Sequence, residues 1–304
     1  MGSAKKILEL VEEFEEAVVG VEDVAVRRIL QAMDSSYRSL VTKIAAEYDS
    51  ISDNISLLPA QRQLLITEQL GDLLAVVNPS QEKEYKEMFA DLISTVHGIG
   101  EGSVEEVIKN IDPDFKASSF ARLPQKAMAI AATGAYDRLK RYGDDFALQA
   151  TQLISQGLIQ GWGNKKIAAG LKKIMEITRS KAEMIARTES ANATVGAAKE
   201  RYRKSGIDYV IWTTAMKEVC PWCVWKSGKI FKIEEVVIPQ HPWCRCSIIP
   251  VTPQWARDSL LDFEGIEKHS VRVRSNFNGK LRSDKAPFEV KAPEPITLEQ
   301  LKNV

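Results

Sequence analysis

The 304 residues allow one large domain or two ordinary ones, and a composition of 44% hydrophobic and 27% charged residues is that of a globular chain able to bury its own core. Lys plus Arg and Asp plus Glu both total 41, so the formal net charge is zero. That excludes a generally basic nucleic-acid binder and leaves room for a local basic patch. The opening Met1-Gly2-Ser3-Ala4-Lys5-Lys6 leads into an amphipathic stretch, not an apolar run, so no signal peptide is read there. Position 6 is Lys6 where a myristoylation motif wants Ser or Thr, and no window has the apolar length of a membrane span. The expected compartment is the cytosol of the cell that makes the protein, with no membrane partner.

Residues 1–110 read as helix after helix. Val24, Ile29, Leu30, Met33, Tyr37, Leu40, Val41, Ile44 and Tyr48 recur at helical spacing. Ser56 to Pro59 marks a break, Gln61 to Val77 a second amphipathic run closed by Asn78-Pro79-Ser80, and Glu82 to Val96 a third closed by Gly98 and Gly100. Ser103 with Glu106 fits a capping box opening a short helix. Asp112-Pro113-Asp114 and Leu123-Pro124 bracket a connection, after which helical patterning runs from Gln125 to Ile159. Gly161-Trp162-Gly163-Asn164 interrupts it, and Lys165 to Met175 and Ser180 to Arg203 read as two further helices, the second closed by Ser205-Gly206. The period then changes. Tyr209 to Thr214, Lys229 to Ile233 and Ser247 to Val251 read as short strands. Ser270 to Pro295 is charged and poor in large apolar residues, an extended stretch, and Thr297 to Leu301 has the pattern of a last helical turn. The expected fold class is α+β and predominantly α-helical. It has a helical bundle over residues 1–150, a small zinc-stabilised α+β domain over 151–252 and an extended C-terminal tail over 253–304.

All four cysteines fall in one window: Cys220-Pro-Trp-Cys223, seventeen residues, then His241-Pro-Trp-Cys244-Arg-Cys246. A disulfide framework would spread them; this clustering points to a metal. Two-residue spacing lets both sulfurs of a Cys-x-x-Cys turn reach one tetrahedral ion, and a second half fifteen to twenty residues on completes the set. The two halves look like copies of one knuckle, which favours Cys220, Cys223, His241 and Cys244; Cys246 is a fifth candidate, and spacing does not choose among them. One structural zinc ion is expected. A redox Cys-Pro-Trp-Cys motif would want a helix opening at its first cysteine, and the residues after Cys223 read as a turn and strand. Deaminase-type zinc wants His-x-Glu upstream of Pro-Cys-x-x-Cys, which is missing: Val219 precedes Cys220, and the upstream His97 is followed by Gly98 and Ile99. A buried thiol cluster without metal is the remaining alternative. Because the strands are short, Cys220→Ser is expected to unfold residues 206–250 and spare the N-terminal helices.

The stretch from Leu153 to Val251 resembles the phage Mu F-like head-morphogenesis family, the minor head proteins of tailed bacteriophages. The resemblance rests on Gly157-Leu158-Ile159-Gln160-Gly161, Ile167 to Leu171, and Ile185-Ala186-Arg187-Thr188-Glu189 with Asn192 and Ala193. Tyr202, Gly206-Ile207, Trp212-Thr213-Thr214, Cys220, Cys223, Gly228 and His241 to Cys246 complete it. It covers about a third of the chain; Ala215-Met216 departs from the family, which commonly has a polar or acidic residue there. The resemblance implies a structural role and no reaction: a minor component of the virion or procapsid interior near the portal, made in the host cytoplasm. It would associate with the portal protein and other head proteins in head assembly and in DNA packaging or delivery. The competing readings are a zinc-containing nuclease or toxin-like enzyme, for which about fifty residues after the domain leave little room, and a general DNA-binding module, which the neutral charge disfavours.

Two further groups stand out. Arg187 with Glu183 and Glu189 reads as a structural ion pair orienting its helix against the cysteine domain; no catalytic residue is assigned. Lys165, Lys166, Lys172, Lys173, Arg179, Lys181, Arg201, Arg203 and Lys204 outnumber nearby acids. Of these, Lys165, Lys166, Lys172, Lys173, Arg201, Arg203 and Lys204 are candidates for salt-sensitive, sequence-independent DNA contact.

Overall fold

The computed structural model describes residues 3–52, 82–119, 125–160, 162, 164–214 and 219–304. The expected break at 56–59, the run from 61 to 77 and its close at 78–80, the Leu123-Pro124 bracket and the Ala215-Met216 departure lie outside them. Among the described residues four long helices come first: α1 (Ala4–Ser52), α2 (Glu82–Ile111), α3 (Gln125–Ile159) and α4 (Asn164–Lys204). Then follow β1 (Tyr209–Thr214), α5 (Pro221–Lys226), β2 (Ile230–Lys232), a 3-10 turn (Ile233–Glu235), β3 (Cys246–Val251), α6 (Pro253–Arg257), α7 (Phe263–Ser275) and α8 (Leu298–Lys302). The chain is thus α+β and predominantly helical, with one small antiparallel sheet among the described residues.

It forms two compact units. The first comprises residues 1–22, 92–128 and 187–304; the second comprises 23–91 and 129–186.

In the second unit, Tyr85, Met88, Phe89, Ala132, Ala135, Tyr136 and Leu139 are buried, as are Ile167, Leu171 and Met175. Tyr85 and Tyr136 stack with ring centroids 6.4 Å apart. Arg179 holds Asp34 by two hydrogen bonds of 2.6 and 2.8 Å.

The first unit holds the sheet, in the order β2-β1-β3. The central β1 is buried from Val210 to Thr214, which its near-continuous apolar run requires of a strand covered on both faces. Pro250 sits opposite Val210 on β3, an edge strand, where a missing N–H is tolerated. The sheet shares one core with helical residues: Ile7 of α1, Val107, Ile108 and Ile111 of α2, and Val195, Ala198 and Tyr202 of α4 surround Trp212, Phe231, Ile249 and Trp255. Trp255 donates its indole N–H to Asp112 at 2.8 Å.

Two expected breaks are not breaks. α2 continues through Gly98, Gly100 and Ser103 to Ile111, and Ser103 Oγ donates back to the Gly100 carbonyl at 2.8 Å instead of capping a new helix. Gly100 is there because α4 comes close: a Cβ would lie 2.2 Å from the Thr194 carbonyl oxygen. Gly100→Ala is therefore expected to cost about 1–3 kcal/mol by overpacking, read as a lowered urea midpoint; an unchanged midpoint would contradict the close approach. Likewise α4 is one helix and not two, since Thr178 to Ser180 contains no Gly or Pro and Thr178 Oγ1 bonds the Ile174 carbonyl four residues back. It ends as expected at Gly206, whose φ of +77° closes the turn while Ile207 N–H reaches the Tyr202 carbonyl.

Beyond β3, Thr252 caps α6 with Pro253 in its first turn. Asp262 caps α7, and Thr297 with Gln300 forms a capping box on α8. The stretch expected to be extended is helical over Pro253–Arg257 and from Phe263 to Ser275, a correction that the caps on α6 and α7 explain; residues 276–296 between α7 and α8 form loops and turns, yet are anchored. Ile296 bridges Ile230 of β2, and Ala286 and Glu289 are buried.

Candidate metal centre

The five donors picked out by spacing converge in the first unit. α5 opens at Cys220, with Pro221 in its first turn, and the Cys220 sulfur accepts the Cys223 N–H at 3.4 Å. This corrects the expectation that turn and strand follow the motif: a six-residue helix does begin there. Its sulfurs, however, face other donors. Cys223 Sγ lies 3.6 Å from His241 Nε2 and 3.9 Å from Cys244 Sγ. At the other half, His241 to Cys244 is a tight turn closed by Cys244 N–H to the His241 carbonyl at 3.3 Å, with Pro242 second and Trp243 third at φ +68°. A left-handed non-glycine residue costs about 1–2 kcal/mol; here it sets His241 and Cys244 against one centre. The Arg187 guanidinium lies over the Trp243 ring, 5.6 Å from its centroid.

Donor atoms of Cys220, Cys223 and His241 lie within 4.8 Å of one another, as do those of Cys223, Cys244 and Cys246, so Cys223 belongs to both groups. A tetrahedral site with metal–sulfur bonds of about 2.3 Å puts neighbouring sulfurs about 3.8 Å apart, and the distances around Cys223 match. His241 Nδ1 is 2.6 Å from the Pro242 carbonyl, which makes it an N–H nitrogen and turns Nε2 to the sulfurs, where a metal would displace its proton. The donor set fits a metal ion.

The protons are divided to suit. Hydrogen bonding from the Cys223 thiol holds Cys220 down to about 5, and Cys244 is held well below its usual value by Cys223 and Cys246. Cys223 is pushed up as the donor in those bonds, and burial pushes Cys246 up. Hydrogen bonds to Cys220 and Cys244 raise His241 to about 10. Two sulfurs are thiolate-like, and a metal would displace the remaining protons.

Arg245, between two donors, turns the other way. Its guanidinium meets Glu22 Oε2 at 2.6 Å, and Arg187 reaches the same oxygen at 3.2 Å. Glu22 is fully buried. Arg187, expected to pair with Glu183 and Glu189, here meets Glu22, a residue that nothing in the sequence singled out; Glu183 and Glu189 lie half-buried on the same helix. Burial raises the Glu22 carboxyl against the pull of Arg245 and Arg187. The adjoining cavity, walled by Val11, Phe14, Val18, Val195 and Ile248, is about 70 Å³, far below the roughly 300–1,000 Å³ of ordinary ligand pockets.

Glu15, also on this wall, is pushed up to about 7, chiefly by burial and against the pull of Arg245. A carboxyl whose folded value lies above its ordinary 4.5 contributes stability that is full below 4.5 and lost as pH rises through 7. Glu15→Gln should therefore be more stable than the native protein at pH 8, by about 1–3 kcal/mol, with the gap closing toward pH 5. Urea unfolding across that range measures it, and a gap that does not change with pH would contradict the burial.

The basic candidates divide. Lys165, Lys166, Lys172 and Lys173 are exposed on the second unit, with Lys166 over the Trp162 ring at 3.7 Å. Arg203 and Lys204 are exposed on the first and pair with Glu200. Arg201 is corrected: it is 4% exposed, bonds the carbonyls of Glu101 and Ser118 and meets Glu105 at 3.3 Å, so packing claims it and no phosphate reaches it. No described helix is long and apolar enough to cross a membrane.

A curated relative, an uncharacterized protein of Haemophilus influenzae, is 26% identical over 168 residues, covering 53% of this chain and 36% of its own length. The chain thus spans little more than a third of the relative it matches. No solved structure matches. The family model described as phage Mu protein F like protein matches residues 149–249, from the end of α3 through the whole donor cluster. Over that third of its length the chain matches the phage Mu protein F-like family, the family its residue pattern resembles.

Proposed function

We propose that the protein is a minor head protein of a tailed phage or prophage, a structural component that joins the portal protein and other head proteins during head assembly and DNA packaging. The observation that carries this reading is the match over residues 149–249, which includes every candidate metal donor. Residues 151–252 act as the head-morphogenesis segment. The protein works from the procapsid interior near the portal, after synthesis in the host cytoplasm, and acts without catalysing a reaction. Lys165, Lys166, Lys172 and Lys173 touch DNA phosphates weakly and in a salt-sensitive way.

The donor cluster holds one structural zinc ion. Thiolates with an imidazole at tetrahedral spacing suit zinc, and a closed set of protein ligands suits a structural site. Cys220, Cys223, His241 and Cys244 are the ligands: the first three lie together, and Cys244 is 3.9 Å from Cys223 and hydrogen-bonded to His241. Cys246, buried in the core and held as a thiol, stands behind them.

Co-expression with a tailed-phage portal protein tests the role. The expected result is one co-eluting peak in size-exclusion chromatography carrying one zinc per copy. Separate elution would end the portal reading, and a metal-free protein the zinc reading. DNA affinity that is indifferent to added salt would end the phosphate contact.

A further inference from the structure

Beside the donor cluster lies a second buried polar group. Lys226 ends α5, Gln240 immediately precedes His241, and Glu289 belongs to the extended C-terminal stretch; they are 0%, 0% and 3% exposed. Lys226 Nζ donates to Glu289 Oε1 at 2.7 Å, and Gln240 Nε2 donates to the same oxygen. Glu289 Oε2 accepts the Ala286 N–H at 2.8 Å, and Phe288 N–H reaches the Gln240 carbonyl at 3.2 Å. The Lys226 ammonium also lies over the Trp212 ring, 5.3 Å from its centroid. The group continues into the donor set: the Cys223 thiol donates to Gln240 Oε1 at 3.7 Å. A buried ion pair is seldom worth more than apolar side chains of the same volume. Its continuity with the sulfur shared by both donor groups gives this one a use beyond packing.

We infer that Gln240, Glu289 and Lys226 are positioning residues around the metal centre, and that they couple metal binding at Cys223 to the docking of residues 285–289. The inference rests on the metal-site reading above. Glu289 Oε1 takes a donor from each half of the donor set: Lys226 ends the helix that carries Cys223, and Gln240 is the residue before His241. A docked carboxylate therefore holds the two halves together, and its release lets them part. The ligand sulfur and the C-terminal carboxylate therefore cannot change independently. By linkage, whatever factor the metal adds to docking of this stretch, docking adds to metal affinity.

The test uses the full chain, titrated with zinc against a chelator and separately loaded with cobalt, whose thiolate charge-transfer band reports on the sulfurs. Native protein is compared with Gln240→Leu, Glu289→Gln and Thr297→Ala; the last removes the α8 cap, away from this group. Gln240→Leu and Glu289→Gln should each lose about tenfold or more in zinc affinity. Amide exchange at 285–291 should quicken in both, and the cobalt band should move in Gln240→Leu. Thr297→Ala should leave affinity and band unchanged. Glu289→Gln keeps the shape of the site and carries the test alone if Gln240→Leu does not fold. Native protein that binds zinc, with variants that bind it equally well and an unmoved band, overturns the coupling and leaves the metal site standing. Native protein that binds neither metal overturns both.

Discussion

Cys223→Ser is expected to abolish metal uptake and to loosen residues 219–245, whereas Cys246→Ser should keep one zinc ion per chain. Cys223 is the donor common to both clusters, and the four that remain, Cys220, His241, Cys244 and Cys246, are brought together only through it. Structural zinc supplies on the order of 10 kcal/mol to small modules, and that sum is lost with the ion. The loss stays local because β1 and β3 do not depend on the metal for a core: Trp212, Ile249 and Trp255 are buried against helical residues from α1, α2 and α4. The sequence alone suggested that all of residues 206–250 would unfold with the metal; the shared core narrows that to the segment carrying the donors. Hydrogen exchange with zinc analysis reads both halves. Retained zinc in Cys223→Ser would sink the ligand assignment, and lost protection across β1 and β3 would sink the claim of an independent core.

Glu22→Ala should be the most damaging single change outside the donors. It removes the carboxylate oxygen that Arg187 and Arg245 both meet. Breaking a buried pair costs about 3–5 kcal/mol. Because the two arginine side chains keep 17% and 30% of their exposure, about 2–4 kcal/mol is expected here. Glu22→Gln, which keeps an acceptor and loses the charge, should fall between. Chemical denaturation measures both variants. Since Arg245 sits between Cys244 and Cys246, the alanine variant should also release zinc faster to a chelator. A Glu22→Ala protein as stable as the native one would mean that the two arginines find other partners.

The donors were legible because metal chemistry is written in spacing: Cys-x-x-Cys and His-x-x-Cys each bring two ligands onto one turn whatever surrounds them. The strands were legible from their β-branched and aromatic runs, and α3 from its period. The carboxylate side of the site was not. Glu22 lies in an acidic helix where Glu12, Glu13, Glu15 and Glu16 look the same, and only packing decides which of them is buried. Lys226 and Glu289 are 63 positions apart and carry no pattern. Gly100 read as a helix end because glycine usually weakens helices, while its actual reason is the backbone of α4 alongside it.

Residue order alone thus determined the local matters: which segments are helical, where the period changes to strand, that Cys220 to Cys246 gathers ligands, and which family residues 149–249 match. Local geometry fixes these within a few turns of chain. The tertiary structure decided which charges are buried. It spent Arg201 on packing, joined Glu22 to Arg187 and Arg245, and placed Glu289 against Lys226 and Gln240. Burial of a charge depends on what packs over it from distant segments, and no local spacing encodes that.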